Sequence, residues 1–102
     1  MELKQKVNTD AVEFKIIEDK KDEPTLESAQ DFVGGYVECI TFPNGDVLIV
    51  NEEGKLMGLP LNTEGTALWR MTFTKDKYLF GYDDWVCGPA ILIKKKALKR
   101  WA

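Results

Sequence analysis

At 102 residues the chain has room for one domain, and a globular chain of that size buries about two thirds of its extended surface. Its apolar content of 44%, with 11% aromatics, is that of a folded protein and excludes extensive disorder. The net charge of -3 hides a basic end: Lys94, Lys95, Lys96, Lys99 and Arg100 leave about -8 on the rest, an acidic body that repels phosphates and excludes wrapping of nucleic acid around the whole protein.

Residues 1–10 are polar and aperiodic, which reads as a flexible N-terminus before a single α+β domain over 11–102 with a basic tail at 94–102. Met1-Glu2-Leu3-Lys4-Gln5-Lys6 lacks the apolar centre of a secretory signal. The longest apolar run, from Val86 to Ile93, is broken by Gly88 and Pro89 and is far short of the ~20 residues of a membrane helix. The expectation is a soluble, cytoplasmic protein with no membrane association.

A first strand is expected near 12–18, where Val12, Phe14 and Ile16 alternate with Glu13, Lys15 and Ile17. Pro24 then opens a helix over 24–33, with Leu26, Ala29, Phe32 and Val33 at helical spacing, Glu23 and Glu27 at the positive end of the dipole, and Gly34 as a left-handed stop. Strands at 36–42 and 47–51 flank Pro43-Asn44-Gly45-Asp46, a strong hairpin signal because Asn and Gly both accept positive φ. Gly54 turns the chain again, and a short strand at Lys55-Leu56-Met57 would lie beside the hairpin.

Asn62 is a good N-cap for a helix carrying Ala67, Leu68 and Met71, yet Ala67, Trp69, Met71 and Phe73 also alternate as in a strand. Two further strands are expected at 77–82 and 86–93, with Pro89 at an edge or bulge because it cannot donate to a ladder. The tail sets Ile93, Ala97, Leu98 and Trp101 at helical spacing, so a C-terminal helical turn should dock on the sheet with its cations toward water or the acidic body. These elements compose an α+β fold: a small, mainly antiparallel sheet with one helix packed on it and a second short helical segment in question.

The segments Val33-Gly34-Gly35-Tyr36-Val37-Glu38, Val50-Asn51-Glu52-Glu53-Gly54-Lys55-Leu56 and Gly58-Leu59-Pro60-Leu61-Asn62 resemble a family of small bacterial, plasmid and phage proteins of unknown function, cyanophage members included. Thr66-Ala67-Leu68-Trp69 and Val86-Cys87-Gly88-Pro89-Ala90 fit the same pattern, so the resemblance covers most of 12–93. It implies a helix near 62–70 and a mobile-element setting. It implies no activity, substrate or catalytic residue, and the stretch from Phe73 to Trp85 and the basic tail match nothing in it.

Cys39 and Cys87 sit in apolar segments with no histidine in the chain and no neighbouring cysteine, and read as small buried hydrophobes. The carboxylate pairs Asp22-Glu23, Glu52-Glu53 and Asp83-Asp84 are adjacent on turns, where side chains diverge into water instead of converging on an ion or a substrate. Gly34-Gly35 follows a helix and precedes a strand, the reverse of a phosphate-binding loop. No enzyme, catalytic residue, metal site or cofactor is therefore expected.

Interface-type residues concentrate between Trp69 and Trp85, where Tyr78, Tyr82 and Trp85 each carry a polar atom that suits a surface. Together with Lys94, Lys95, Lys96, Lys99, Arg100 and Trp101 they are the expected partner-binding residues, and a host or viral protein is the expected partner. Nucleic acid held by the tail is the lesser alternative, and open strand edges leave room for a homodimer.

Overall fold

Asn44 and Gly45 close the hairpin as their residue types dictate. Gly45 has φ 95°, the Asn44 side chain accepts from the Asp46 amide at 2.9 Å, and the Phe42 amide donates to the Asp46 carbonyl at 2.8 Å. A computed structural model describes residues 12–73 and 84–101. Strands β1 (Phe14–Ile17), β2 (Val37–Thr41), β3 (Val47–Asn51) and β4 (Ala90–Ile93) form one sheet in the order β1-β4-β3-β2, with helices α1 (Leu26–Val33) and α2 (Thr63–Phe73) and short 3-10 turns at Lys20–Asp22 and Lys95–Ala97.

The α+β expectation holds, with a mixed sheet. β2 and β3, and β3 and β4, are antiparallel, whereas β1 runs parallel to β4 with Phe14 opposite Ala90. Every residue of β3 and β4 is buried. Alternation sends Val47, Ile49, Ile91 and Ile93 to one face, where Ala29 and Val33 of α1 cover them, and Leu48, Val50, Ala90 and Leu92 to the other, where Leu68, Trp69 and Phe73 of α2 pack. Two-sided cover explains why Val47–Val50 and Ala90–Ile93 are continuous apolar runs.

Helix α1 begins two residues later than expected, because the N-cap is Thr25, whose hydroxyl accepts from the Ser28 amide at 3.1 Å. It ends at Gly34 with φ 84°, as the sequence indicates. Helix α2 is longer than the expected 62–70. Asn62 caps it by accepting from the Gly65 amide at 2.8 Å, and its own amide group donates to the carbonyls of Gly88 at 2.9 Å and Glu13 at 3.1 Å. This side chain is 0% exposed, so it joins three separate chain segments inside the protein.

Several expectations need correction. The first strand is shorter than 12–18, and its buried aliphatic is Ile17; Ile16 is 51% exposed, because β1 is an edge strand that α2 covers only in part. Residues 55–57 form no strand: Met57 donates to the Glu53 carbonyl at 2.8 Å and Leu59 to that of Gly54 at 2.9 Å, so the segment coils into a turn closed by Gly58 at φ 71°. The last strand starts at Ala90 instead of 86, since Gly88 at φ 89° and Pro89 interrupt the ladder after an isolated Leu61–Cys87 bridge.

Cys39 is exposed on the outermost strand and Cys87 is half-buried, so neither is the core hydrophobe expected. The 1–10 segment and the strand expected at 77–82 lie outside the described residues. No described helix is long and apolar enough to cross a membrane.

Asn62→Ala removes an N-cap and leaves two inward carbonyls without their donor, and should lower the unfolding free energy by roughly 2–4 kcal/mol. Asn62→Asp keeps the cap acceptor but sets a fully buried carboxylate against the Glu13 and Gly88 carbonyl oxygens, so urea denaturation at pH 7 should find it at least as destabilised as Asn62→Ala.

Candidate functional site

Beside the β2 edge the chain builds a cleft from two turns that the sequence holds together by close backbone packing. The Asn51 side chain accepts from the Glu53 amide at 2.8 Å and donates to the Val33 carbonyl at 3.1 Å, anchoring the start of the 52–58 turn to the end of α1. Gly54 lies against the segment at 84–87 so closely that a Cβ there would meet the Cys87 carbonyl oxygen at 2.6 Å. The turn then projects Lys55 and Leu56 beside Asp84 and Trp85.

The Lys55 ammonium lies 4.3 Å from the centroid of the Trp85 ring and is paired with the Asp84 carboxylate. Asp84 also accepts from the Trp85 amide at 2.7 Å, and Arg70 donates to its backbone carbonyl at 3.4 Å. Burial works against the charged form of Asp84, but the hydrogen bonds from Lys55 and the Trp85 amide, with the charges of Lys55 and Arg70, hold its carboxyl below the ordinary value. The result is a fixed cation on an indole face.

Around this pair is a cleft of about 310 Å³. Its apolar wall is Ile40, Val50 and Trp69, and its rim carries Glu38, Glu52 and Glu53 in addition to Asp84 and Lys55. Trp69 is held edge-on to Phe42, with ring centroids 6.1 Å apart, and stands 4.9 Å from Phe73, so the wall is rigid aromatic packing. At the mouth Trp85 is 47% exposed and Leu56 84% exposed. The site is concave, aromatic-walled and net acidic, and its described groups place no base and nucleophile in contact. Desolvation and the neighbouring Glu38 charge push the Cys39 thiol above its ordinary value, leaving little thiolate at neutral pH. Among the described residues no three His, Cys, Asp or Glu side chains group to hold a metal ion.

The tail is arranged differently from the cleft. Glu23 is buried, and its carboxylate accepts from the backbone amides of Lys99 at 2.8 Å, Arg100 at 3.0 Å and Trp101 at 3.1 Å, with the Arg100 guanidinium at 3.5 Å. The Trp101 indole donates to the Pro24 carbonyl, and Ala97, Leu98 and Trp101 pack on the α1 face of the sheet. Asp46 accepts from the Lys95 amide at 2.7 Å and faces the Lys94 ammonium at 3.0 Å, while Lys96 lies 3.7 Å from Glu18. The tail cations thus face the acidic body, with the side chains of Lys95 and Lys99 exposed.

Of the residues singled out in the sequence, Trp85 lies at the cleft, which no tail residue lines, and Trp101 packs on the opposite, α1 face of the sheet, so Trp85 and the tail do not form one patch. Tyr78 and Tyr82 lie outside the described residues. Sequence reasoning missed Lys55, Leu56 and Glu38 as cleft residues, and took Asp84 for a carboxylate diverging into water. Lys55 and Trp85 are far apart in the chain, and no local pattern marks a cation that reaches across that separation.

A family model described as a domain of unknown function, DUF3846, matches residues 6–99. The chain belongs to this family. The match takes in both turns of the cleft and the greater part of the tail, so all of the DUF3846 fold described above lies within it except the last residues. Comparison with curated proteins and with solved structures gave no match.

Burial raises the pKa of Glu23, but the amides of Arg100, Lys99 and Trp101 and the Arg100 charge outweigh it and hold the carboxyl below its ordinary value. A depressed folded-state pKa contributes stability that is present above the unfolded value, ~4.3, and is lost as pH falls through the folded one. Glu23→Ala, which orphans three amides, should cost roughly 2–3 kcal/mol at pH 7 in chemical denaturation. Its deficit against wild type should shrink as acidification takes the pH below the unfolded value and toward the depressed folded one.

Proposed function

We propose that the chain is a non-enzymatic accessory protein that binds another protein through the cleft at Trp85. The observation carrying this reading is the exposure of Trp85 at the mouth of a rigid aromatic cleft whose rim also exposes Leu56, since tryptophan anchors dominate interface energetics. The sequence resemblance supports a phage or other mobile-element setting, and with it a host or viral partner met in the host cytoplasm. Binding through the tail, to protein or to nucleic acid, has less support, because Lys94, Lys96 and Arg100 are turned toward Asp46, Glu18 and Glu23.

Affinity capture from cells that carry the element tests the reading with three proteins: wild type, Trp85→Ala, and a tail variant combining Lys95→Ala and Lys99→Ala. Both altered surfaces are exposed, so the fold should survive in each. The partner recovered by wild type should fall by ~10-fold or more with Trp85→Ala, the effect of losing one interface hot spot, and persist with the tail variant. Equal recovery by wild type and Trp85→Ala would remove the cleft from consideration.

A further inference from the structure

The cleft touches the open edge of the sheet, and that edge has a defined hydrogen-bonding pattern. Tyr36 accepts from the Glu52 amide and the Phe42 amide donates to the Asp46 carbonyl, so in the antiparallel pair the even-numbered residues of β2 bond inward to β3. The backbone groups of Val37, Cys39 and Thr41 therefore face away from β3, and among the described residues no strand pairs with them. The side chains of Glu38 and Ile40, on the same face as their cross-strand partners Val50 and Leu48, line the cleft beside that edge.

The electrostatics specify what this edge would accept. Lys55 shows that the cleft holds a cation between an indole face and a carboxylate. Its lining carries four carboxylates against that one ammonium, and no described residue forms an ion pair with Glu38, Glu52 or Glu53. A second copy of the chain would bring Glu38 and the same acidic rim to the interface, which like-charge repulsion disfavours.

We propose, building on the protein-binding reading above, that the partner docks as an extended segment pairing with β2 and carrying an arginine opposite Glu38. Main-chain hydrogen bonds to Val37, Cys39 and Thr41 supply affinity, and the cleft supplies specificity. An arginine at that register lies on the cleft face, adjacent to Glu38, with the acidic rim and the tryptophans within the reach of a long side chain. Guanidinium suits the site better than ammonium because it is planar, weakly hydrated and stacks on aromatic faces.

The test uses the full chain and the capped peptide acetyl-Thr-Val-Arg-Val-Thr-amide, with citrulline or glutamate at the centre as controls, followed by NMR at roughly 50 mM salt, where exposed charges are weakly screened. The arginine peptide should shift the amides of Val37, Cys39 and Thr41 and the Trp85 indole. It should bind at least ~5-fold more tightly than the citrulline peptide, as a charge-assisted and cation–π contact predicts, and the glutamate peptide should not bind. Glu38→Gln, an exposed change that leaves the fold intact, should narrow the arginine preference.

Equal binding of the arginine and citrulline peptides, no binding of either, or self-association through β2 without peptide would each overturn the proposal. Trp85-dependent capture of a partner without any arginine preference would sink only this inference. Capture that ignores Trp85 would sink the protein-binding reading beneath it.

Discussion

Burial of both faces of β3 and β4 is the constraint on which the rest depends. An aliphatic side chain fully removed from water contributes roughly 1.5–3 kcal/mol, and seven large aliphatics on these two strands share that gain, whereas exposed ion pairs such as Lys96–Glu18 contribute about 0–1 kcal/mol each. Covering one face alone would leave Leu48, Val50 and Leu92, or Val47, Ile49, Ile91 and Ile93, in water. The chain must therefore place a helix on each side, and α1 and α2 are the two that it places.

Buried polar side chains fix how those covers are held. Asn62 ties the start of α2 to the segments before β1 and β4, Asn51 ties the end of α1 to the 52–58 turn, and Asp46 and Glu23 take up amides of the tail. Each satisfies several groups that would otherwise be left without partners, and each joins segments distant in sequence. The cleft is a by-product of this fastening, since Asn51 and Gly54 press one turn against another and leave a hollow where Trp69 and Ile40 do not meet the loop. The binding proposed for the cleft rests on side chains whose exposed parts lie outside the two cores, Lys55, Leu56 and Trp85.

Much of the architecture was legible in local chemistry. Asn44-Gly45 marks the hairpin, Gly34 marks the end of α1, and Asn62 marks the start of α2, because each depends on backbone geometry that few residues satisfy. The helix over 63–73 was ambiguous, since a segment packing Leu68, Trp69 and Phe73 inward has an apolar pattern compatible with either period. The parallel pairing of β1 with β4, the exposure of Cys39 and the coil at 55–57 were not legible, as they follow from strand order and from which positions neighbours cover. The cleft was half legible. Trp85 carries a surface signal of its own, whereas Lys55 acquires its role only through contact with a residue on another segment.

Strand order also governs timing. β4 sits between β1 and β3, yet it is the last described strand to leave the ribosome. Until Ile93 has emerged, β1 has no partner among the described strands and the β2–β3 hairpin shows an unpaired β3 edge that is apolar from Val47 to Val50. Such an edge is a template for wrong pairing. Synthesis therefore carries a window of vulnerability that closes when β4 inserts, and a chain ending between β3 and β4 would be not a smaller domain but a fragment with an adhesive edge.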